Sequence, residues 1–124
     1  MKISGKSIRA FIGSKNYTIS RNFYRDLGFE EVITSKNMSY FHIGDFGFYL
    51  QDAYVKDWID NSMIFLEVDN LESILKYIQN LKLTEKYENV RLSRIVFNEW
   101  GKEFFLHDPS GVLWHIGKFN SKEL

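Results

Sequence analysis

The sequence has 124 residues, the size of one folding unit, so we expect residues 1–124 to form a single domain. Sixteen basic and sixteen acidic residues cancel, which argues against a nucleic-acid partner or an anionic membrane, because such binding depends on clustered Lys and Arg. Apolar residues make up 44% of the chain and aromatic residues 17%, and the absence of cysteine excludes disulfides, thiolate metal sites and cysteine nucleophiles.

The beginning of the sequence does not resemble a targeting segment. Lysines at positions 2 and 6 are not followed by the apolar stretch that a signal peptide requires. No window approaches the roughly 18 apolar residues of a membrane span. We therefore predict no membrane partner and a cytoplasmic location.

The first half of the sequence predicts one strand, one helix and then three strands. The strands are predicted at 7–14, 29–35, 38–43 and 46–51. A helix is predicted at 17–27, because Ile19, Phe23 and Leu27 recur at helical spacing and Gly28 follows as a stop. Lys36-Asn37 and Gly44-Asp45 mark the turns between the last three strands.

The second half repeats this order after a polar connector at 53–61. A strand is predicted at 62–68 and a helix at 71–81, where leucines and isoleucines form one stripe. Three further strands are predicted at 90–98, 102–107 and 112–118. Asp108-Pro109-Ser110-Gly111, between the last two, is a type I turn signature of four residues.

The two halves also match in sequence, which indicates a duplication. A shift of 54 residues places Phe11 on Phe65 and Asn16 on Asn70. With a longer hairpin allowed in the second half, the segment 47–51 lies over 111–115. We predict an α+β fold of two tandem βαβββ modules, at about 7–52 and 62–119, which form a cupped mixed sheet with one helix per module outside.

This order of elements resembles the vicinal oxygen chelate superfamily, which includes glyoxalase I, extradiol dioxygenases and bleomycin-resistance proteins. Three segments carry the resemblance over most of the chain. FYRDLGF at 23–29 is similar to the family's helix end, and DPSGVLW at 108–114 is similar to its last hairpin. WGKEF at 100–104 looks most like the bleomycin-resistance branch.

The resemblance implies where metal ligands would lie in the metal-dependent members. The four positions hold Arg9, then Gln51 or Tyr49, then Met63 and finally His115. Only His115 is a good ligand for a divalent ion, since a guanidinium is always charged and donates only, and a thioether is a soft donor. We therefore predict no metal, no other cofactor and no catalytic residue.

Strand alternation predicts which side chains line the cup. The predicted ligand-binding residues are Arg9, Phe11, Tyr49, Gln51, Met63, Phe65, Glu67, Trp100, Phe104, Leu113 and His115. Phe104, and Leu106 with it, is included because a four-residue turn would place it across from the cup face of the last strand. Rings with a few polar groups suit a small, partly planar organic ligand.

Other interpretations of the same residues stay open at this point. Phe11, Phe65 and Leu113 could fill the cup as core, and Arg9 could pair with Glu67 across the two modules. His42 is most simply a plain strand residue. The four-residue turn would place His107 and His115 on opposite faces, and Glu67 with His115 could form an acid–base pair.

The sequence therefore predicts a metal-free protein that binds and sequesters a small organic molecule, and the resemblance implies a homodimer. Bleomycin itself is a poor electrostatic match, since it is cationic and the cup contains Arg9 with little excess acid. One alternative is a metal-dependent lyase, isomerase or dioxygenase of the same superfamily. The other is a non-catalytic interaction domain whose cup is filled by its own side chains.

Overall fold

A computed structural model describes residues 2–120 of the chain. The strands are β1 Ala10–Ile12, β2 Glu30–Ser35, β3 Met38–Ile43, β4 Phe46–Gln51, β5 Met63–Glu67, β6 Arg91–Leu92, β7 Val96–Asn98, β8 Gly101–His107 and β9 Leu113–Phe119. The helices are α1 Tyr17–Leu27, α2 Lys56–Asp60, α3 Leu71–Leu81 and α4 Leu83–Lys86. The two long helices are confirmed at their predicted bounds, whereas the short α2 and α4 were not predicted. The predicted strand at 90–98 is split into β6 and β7.

The two long helices begin in the same way. The side chains of Asn16 and Asn70 each accept a hydrogen bond from the backbone N–H three residues later, which satisfies a donor that the helix leaves free. Helix α1 ends at Gly28 with φ of 118°, a left-handed conformation that favours glycine. The paired asparagines support the duplication.

The strands form two sheets with the same topology. The first has the order β1-β4-β3-β2, and the second has the order β5-β9-β8-β6, with β7 also paired to β8. The first strand of each module runs parallel to the last strand of that module. This repeated plan confirms the predicted α+β fold of two βαβββ modules, with one sheet per module.

The registers correct one part of the predicted repeat. Phe11 lies opposite Tyr49, and Phe65 lies opposite His115, so the shift of 54 residues holds for the first strands. Tyr49 therefore occupies the position of His115, two residues away from the predicted overlay, in which Gln51 matched His115.

One face of each sheet packs into a common core. Buried residues of both modules, among them Phe48 and Trp114, belong to one cluster. Tyr24 of α1 links the modules, because its hydroxyl donates to Asp108 at 2.6 Å and accepts from the Trp114 indole at 2.9 Å.

Within residues 2–120, no helix has the length and apolar character that crossing a membrane requires.

Candidate functional site

The candidate site lies on the sheet faces that point away from the core, which we call the first and second outer faces. The first carries Arg9, Phe11, Met38, Tyr40, His42, Tyr49 and Gln51. The second carries Met63, Phe65, Glu67, Arg91, Glu103, Phe105, His107, Leu113, His115 and Phe119. Of the predicted site residues, all but Trp100 and Phe104 lie on these strand faces, and Trp100 packs beside Phe65.

On the first outer face, a guanidinium cation packs against aromatic rings. The Arg9 guanidinium lies 4.0 Å from the Tyr40 ring centroid, and its Nη1 donates to the Tyr49 hydroxyl at 2.9 Å. Phe11 stacks on Tyr49 with ring centroids 4.9 Å apart, yet 48% of Phe11 remains exposed. This face therefore offers flat ring surface together with a permanently charged hydrogen-bond donor.

The second outer face is a denser aromatic cluster. Phe65 packs against Phe119 and Trp100, with ring centroids 5.3 and 5.7 Å apart. Phe65 is still 41% exposed, and Met63 beside it is 65% exposed. Apolar side chains of this size on an open sheet face are a surface on which a flat molecule can stack.

A carboxylate–histidine pair gives the second outer face its polar character. His115 Nδ1 lies 2.7 Å from Glu103 Oε1, and Asn98 donates to the other carboxylate oxygen at 2.8 Å. Because a carboxylate only accepts hydrogen bonds, Nδ1 carries a proton, and in the tautomer with that single proton Nε2 presents a lone pair. Nε2 lies 3.4 Å from the Met63 sulfur on the exposed side.

Sequence reasoning missed Glu103 and placed Phe104 wrongly, because the last hairpin is one residue longer than predicted. The Asp108 carboxylate accepts from the backbone N–H groups of Ser110, Gly111 and Val112, which keeps Val112 in the turn. The register therefore pairs His107 with Leu113, and a shift by one residue sends every β8 side chain to the other face.

The corrected register exchanges the side chains of β8 between the two faces. Phe104 and Leu106 are fully buried in the core instead of lining the cup. Glu103, Phe105 and His107 take their places on the outer face. His107 and His115 consequently share one face, contrary to the prediction, and the alternation of β8 would have revealed this had the turn length been known.

His107 lies in a depression beside the Glu103–His115 pair. The depression has a volume of about 460 Å³ and is lined by Arg91, Leu92, Ser93, Phe105, His107 and Leu113. Burial lowers the pKa of His107, and the neighbouring positive charge of Arg91 lowers it further. This end of the second outer face therefore favours a neutral imidazole next to a guanidinium.

One chain does not bring the two outer faces together. Among residues 2–120, no hydrogen bond, ion pair or ring contact joins the first-face set to the second-face set. Arg9 contacts Tyr40 and Tyr49 and does not form the alternative ion pair with Glu67. Since both sheets turn their other face to the common core, each outer face is half of the predicted cup.

The residues at the ligand positions implied by the resemblance do not fit a divalent metal. Arg9 is a cation, and the Tyr49 hydroxyl already accepts its hydrogen bond. Met63 supplies a soft thioether, which leaves His115 as the single good donor. In the described part of the chain, no three His, Cys, Asp or Glu side chains cluster as a metal site would require.

Comparisons with known proteins place this architecture. No family model and no curated protein matches the sequence. Among solved structures, a bleomycin-binding protein in complex with bleomycin superposes with a TM-score of 0.77 at 19% identity, over 92% of this chain and 98% of that one. A bleomycin resistance determinant encoded on the transposon Tn5 gives a TM-score of 0.78 at 18% identity, over 93% and 99%.

An enzyme is also among the similar structures. Lactoylglutathione lyase from Agrobacterium tumefaciens superposes with a TM-score of 0.71 at 14% identity, over 93% of this chain and 95% of that one. At such identities the likeness establishes the fold, not the activity. The chain therefore has the fold of the vicinal oxygen chelate superfamily, the fold that bleomycin-resistance proteins share with lactoylglutathione lyase.

Proposed function

We propose that the protein binds a small, partly planar organic molecule without a metal and acts by sequestering it. The observation that carries the proposal is the pair of outer faces, each of which exposes large rings around one defined polar group. A core face would bury such rings, and an inert surface would not expose them in clusters. The bleomycin-binding protein, which has the same fold, was solved with a small molecule bound.

We further propose that the binding site is completed in a homodimer. The first and second outer faces of one chain share no hydrogen bond, ion pair or ring contact within residues 2–120, and each leaves large rings exposed that a second surface could cover. A twofold axis that sets the first outer face of one copy against the second outer face of the other would build two identical cups. It would also cover the exposed rings of Phe11 and Phe65.

The two faces would then recognise opposite ends of one ligand. Arg9 can only donate hydrogen bonds, so it fits a carboxylate, phenolate or carbonyl group. His115 Nε2, with its proton held on the Glu103 side, fits an O–H or N–H group. The rings of Tyr49, Phe65 and their neighbours supply the stacking surface for the flat part between. We expect bleomycin, a cation, to bind weakly if at all.

The first experiment asks what the purified protein carries and how many chains assemble. Native mass spectrometry of freshly purified protein gives both the oligomeric state and the mass of any retained small molecule. We expect a dimer. Fluorescence titration with a panel of planar aromatic acids and with bleomycin then uses the quenching of Trp100, which packs on Phe65, to rank ligands.

Matched variants test whether the outer faces are the binding surface. Phe65→Ala should weaken the binding of the best panel ligand by roughly tenfold or more, the value of one lost stacking partner. Phe97→Ala serves as the control, because Phe97 is 78% exposed and lies on the other side of β7. Equal effects of both variants, or no ligand among the panel and no retained molecule, would contradict the proposal.

Metal titration separates sequestration from the enzymatic alternative. Purified protein is titrated with Ni²⁺, Zn²⁺, Mn²⁺ and Fe²⁺ and analysed for bound ions. We expect no stoichiometric binding. An ion bound one per chain, and lost in His115→Ala, would replace the proposal with a metal-dependent lyase, isomerase or dioxygenase.

A further inference from the structure

A cleft between the inner faces of the two sheets forms a cavity that shares only Phe65 and Glu67, at its edge, with the second outer face. Its volume is about 690 Å³, within the range of small-molecule sites. Apolar side chains of both modules line its interior, among them Ala10, Phe29, Phe48, Ile64, Leu66 and Trp114. The lining also includes Ile8, Ile43 and Phe46, which are 100%, 40% and 68% exposed. The cleft is therefore an apolar, ring-rich cavity that opens to the surface.

The charges of this cleft have one sign. Glu67 and Asp69 are the charged residues among its lining side chains, and no basic residue lines it. Within residues 2–120, neither carboxylate takes part in an ion pair. A cation in this cavity would be attracted by two groups of side chains. The carboxylates attract it by their negative charge, and the aromatic rings attract it by their negative faces.

We infer that this cleft binds a hydrophobic organic cation, such as a quaternary ammonium or phosphonium ion with aromatic or alkyl groups. A neutral hydrophobe would gain nothing from Glu67 and Asp69. An anion would be repelled by both. A small hydrated cation would gain nothing from the apolar interior, because it would have to shed its water there.

Two ions of almost the same shape and opposite charge test the inference directly. Tetraphenylphosphonium and tetraphenylborate are titrated into the full chain by calorimetry. We expect the phosphonium to bind at least about tenfold more tightly, the effect of cation–ring and carboxylate attraction in a partly desolvated site. Equal affinity for both ions would overturn the inference, since hydrophobicity alone would then explain binding.

Nuclear magnetic resonance locates the bound ion. The indole N–H signal of Trp114, at the cleft, should shift on addition of the phosphonium, whereas that of Trp58, outside the lining, should not. Shifts confined to Trp100 would place the ion on the second outer face and would contradict the inference. The Trp114 and Trp100 signals thus distinguish binding in the cleft from binding on the second outer face, although the two share Phe65 and Glu67.

Two pairs of variants separate charge from space. The double variant Glu67→Gln with Asp69→Asn should lower the phosphonium affinity by about tenfold. The control, Asp52→Asn with Glu99→Gln, removes two exposed carboxylates outside the cleft and should leave the phosphonium affinity unchanged. Ala10→Phe should fill the cavity and block binding, whereas Ala53→Phe, at another exposed alanine, should not. Unchanged binding in the cleft variants would overturn the inference. So would phosphonium binding that appears only after deletion of residues 1–7, which leaves the lining residue Ile8 in place, because the chain's own N-terminal segment would then be the occupant.

Discussion

The two modules share a backbone plan but keep their polar groups in different places. In the first module, Tyr24 of α1 bonds through its hydroxyl to Asp108 and Trp114 of the second module, and Glu31 accepts from Arg21 and Ser39. In the second module, a hydrogen-bonded polar pair lies on the outer face, where Glu103 binds His115. The difference teaches that the polar contacts of α1 hold the two modules and the first sheet together, whereas the Glu103–His115 pair lies on an open face where its imidazole can meet a ligand.

The largest expected loss in the free energy of unfolding is that of a substitution at Tyr24, the link between the modules. In Tyr24→Phe, the Asp108 carboxylate loses a hydrogen bond and the buried Trp114 N–H loses its acceptor. Each unsatisfied buried group costs about 1–3 kcal/mol, so two such groups predict a loss of roughly 2–6 kcal/mol in the free energy of unfolding. Urea denaturation followed by circular dichroism measures it.

Tyr77→Phe is the matched control in the second module. The Tyr77 hydroxyl donates to the Leu27 carbonyl at 2.9 Å and is only partly buried. Its removal should cost about 0.5–1.5 kcal/mol, the ordinary value of one hydrogen bond. If the two variants were equally destabilised, Tyr24 would not be the special link between modules that the comparison requires.

The second prediction concerns Glu31, which ties α1 to the first sheet. Burial alone would raise the pKa of the Glu31 carboxyl, but the hydrogen bonds from Arg21 and Ser39, with the charges of Arg21 and Arg25, outweigh it and lower the pKa. A folded-state pKa below the unfolded one stabilises the protein above the unfolded pKa, and this stability is lost as the pH falls through the folded pKa.

Glu31→Gln should therefore lower the free energy of unfolding by about 1–3 kcal/mol at neutral pH. The difference from wild type should begin to shrink below about pH 4, where the unfolded carboxyl becomes protonated, and should vanish once the pH has fallen through the lower folded-state pKa. Glu30→Gln is the control, since that side chain is 80% exposed and should change stability by less than about 0.5 kcal/mol. A pH-independent effect of Glu31→Gln would show that shape, not charge, explains it.

The contrast between inner and outer faces also explains what the sequence could reveal. Helical spacing, with Gly28 as the stop of the first helix, predicted α1 and α3 at their bounds, because local contacts determine such elements. The short α2 carries no repeating apolar pattern, and the break after β6 depends on pairing with β8 rather than on its own residues. Local sequence does not contain that information.

The site was predictable only as far as the strand registers were. Strand alternation placed Phe11, Tyr49, Phe65 and His115 on outer faces, because a period of two needs no knowledge of the partner strand. The prediction for Phe104 was wrong because the face on which this side chain lies depends on the length of the turn that Asp108 stabilises. That the cup is open within one chain depends on how two modules pack, which no spacing in the sequence records.

The smallest effect on stability is expected at Glu103, where the chemical effect is the sharpest. Glu103→Gln removes an acceptor from a partly exposed histidine, which should cost about 1 kcal/mol. A glutamine can turn its amide N–H toward Nδ1, and Nε2 would then carry the proton. The acceptor that distinguishes the second outer face from the Arg9 face would become a donor.

The tautomer can be read from the ¹⁵N chemical shifts of the His115 ring in neutral solution. We expect protonation at Nδ1 in the wild type and at Nε2 in Glu103→Gln, with His107 unchanged as the internal control. A ligand that donates to His115 should bind the variant several-fold more weakly, whereas one held by Arg9 alone should not discriminate. If the neutral wild-type ring carried its proton on Nε2, both outer faces would present hydrogen-bond donors. The cup would then suit a ligand with acceptors at both ends.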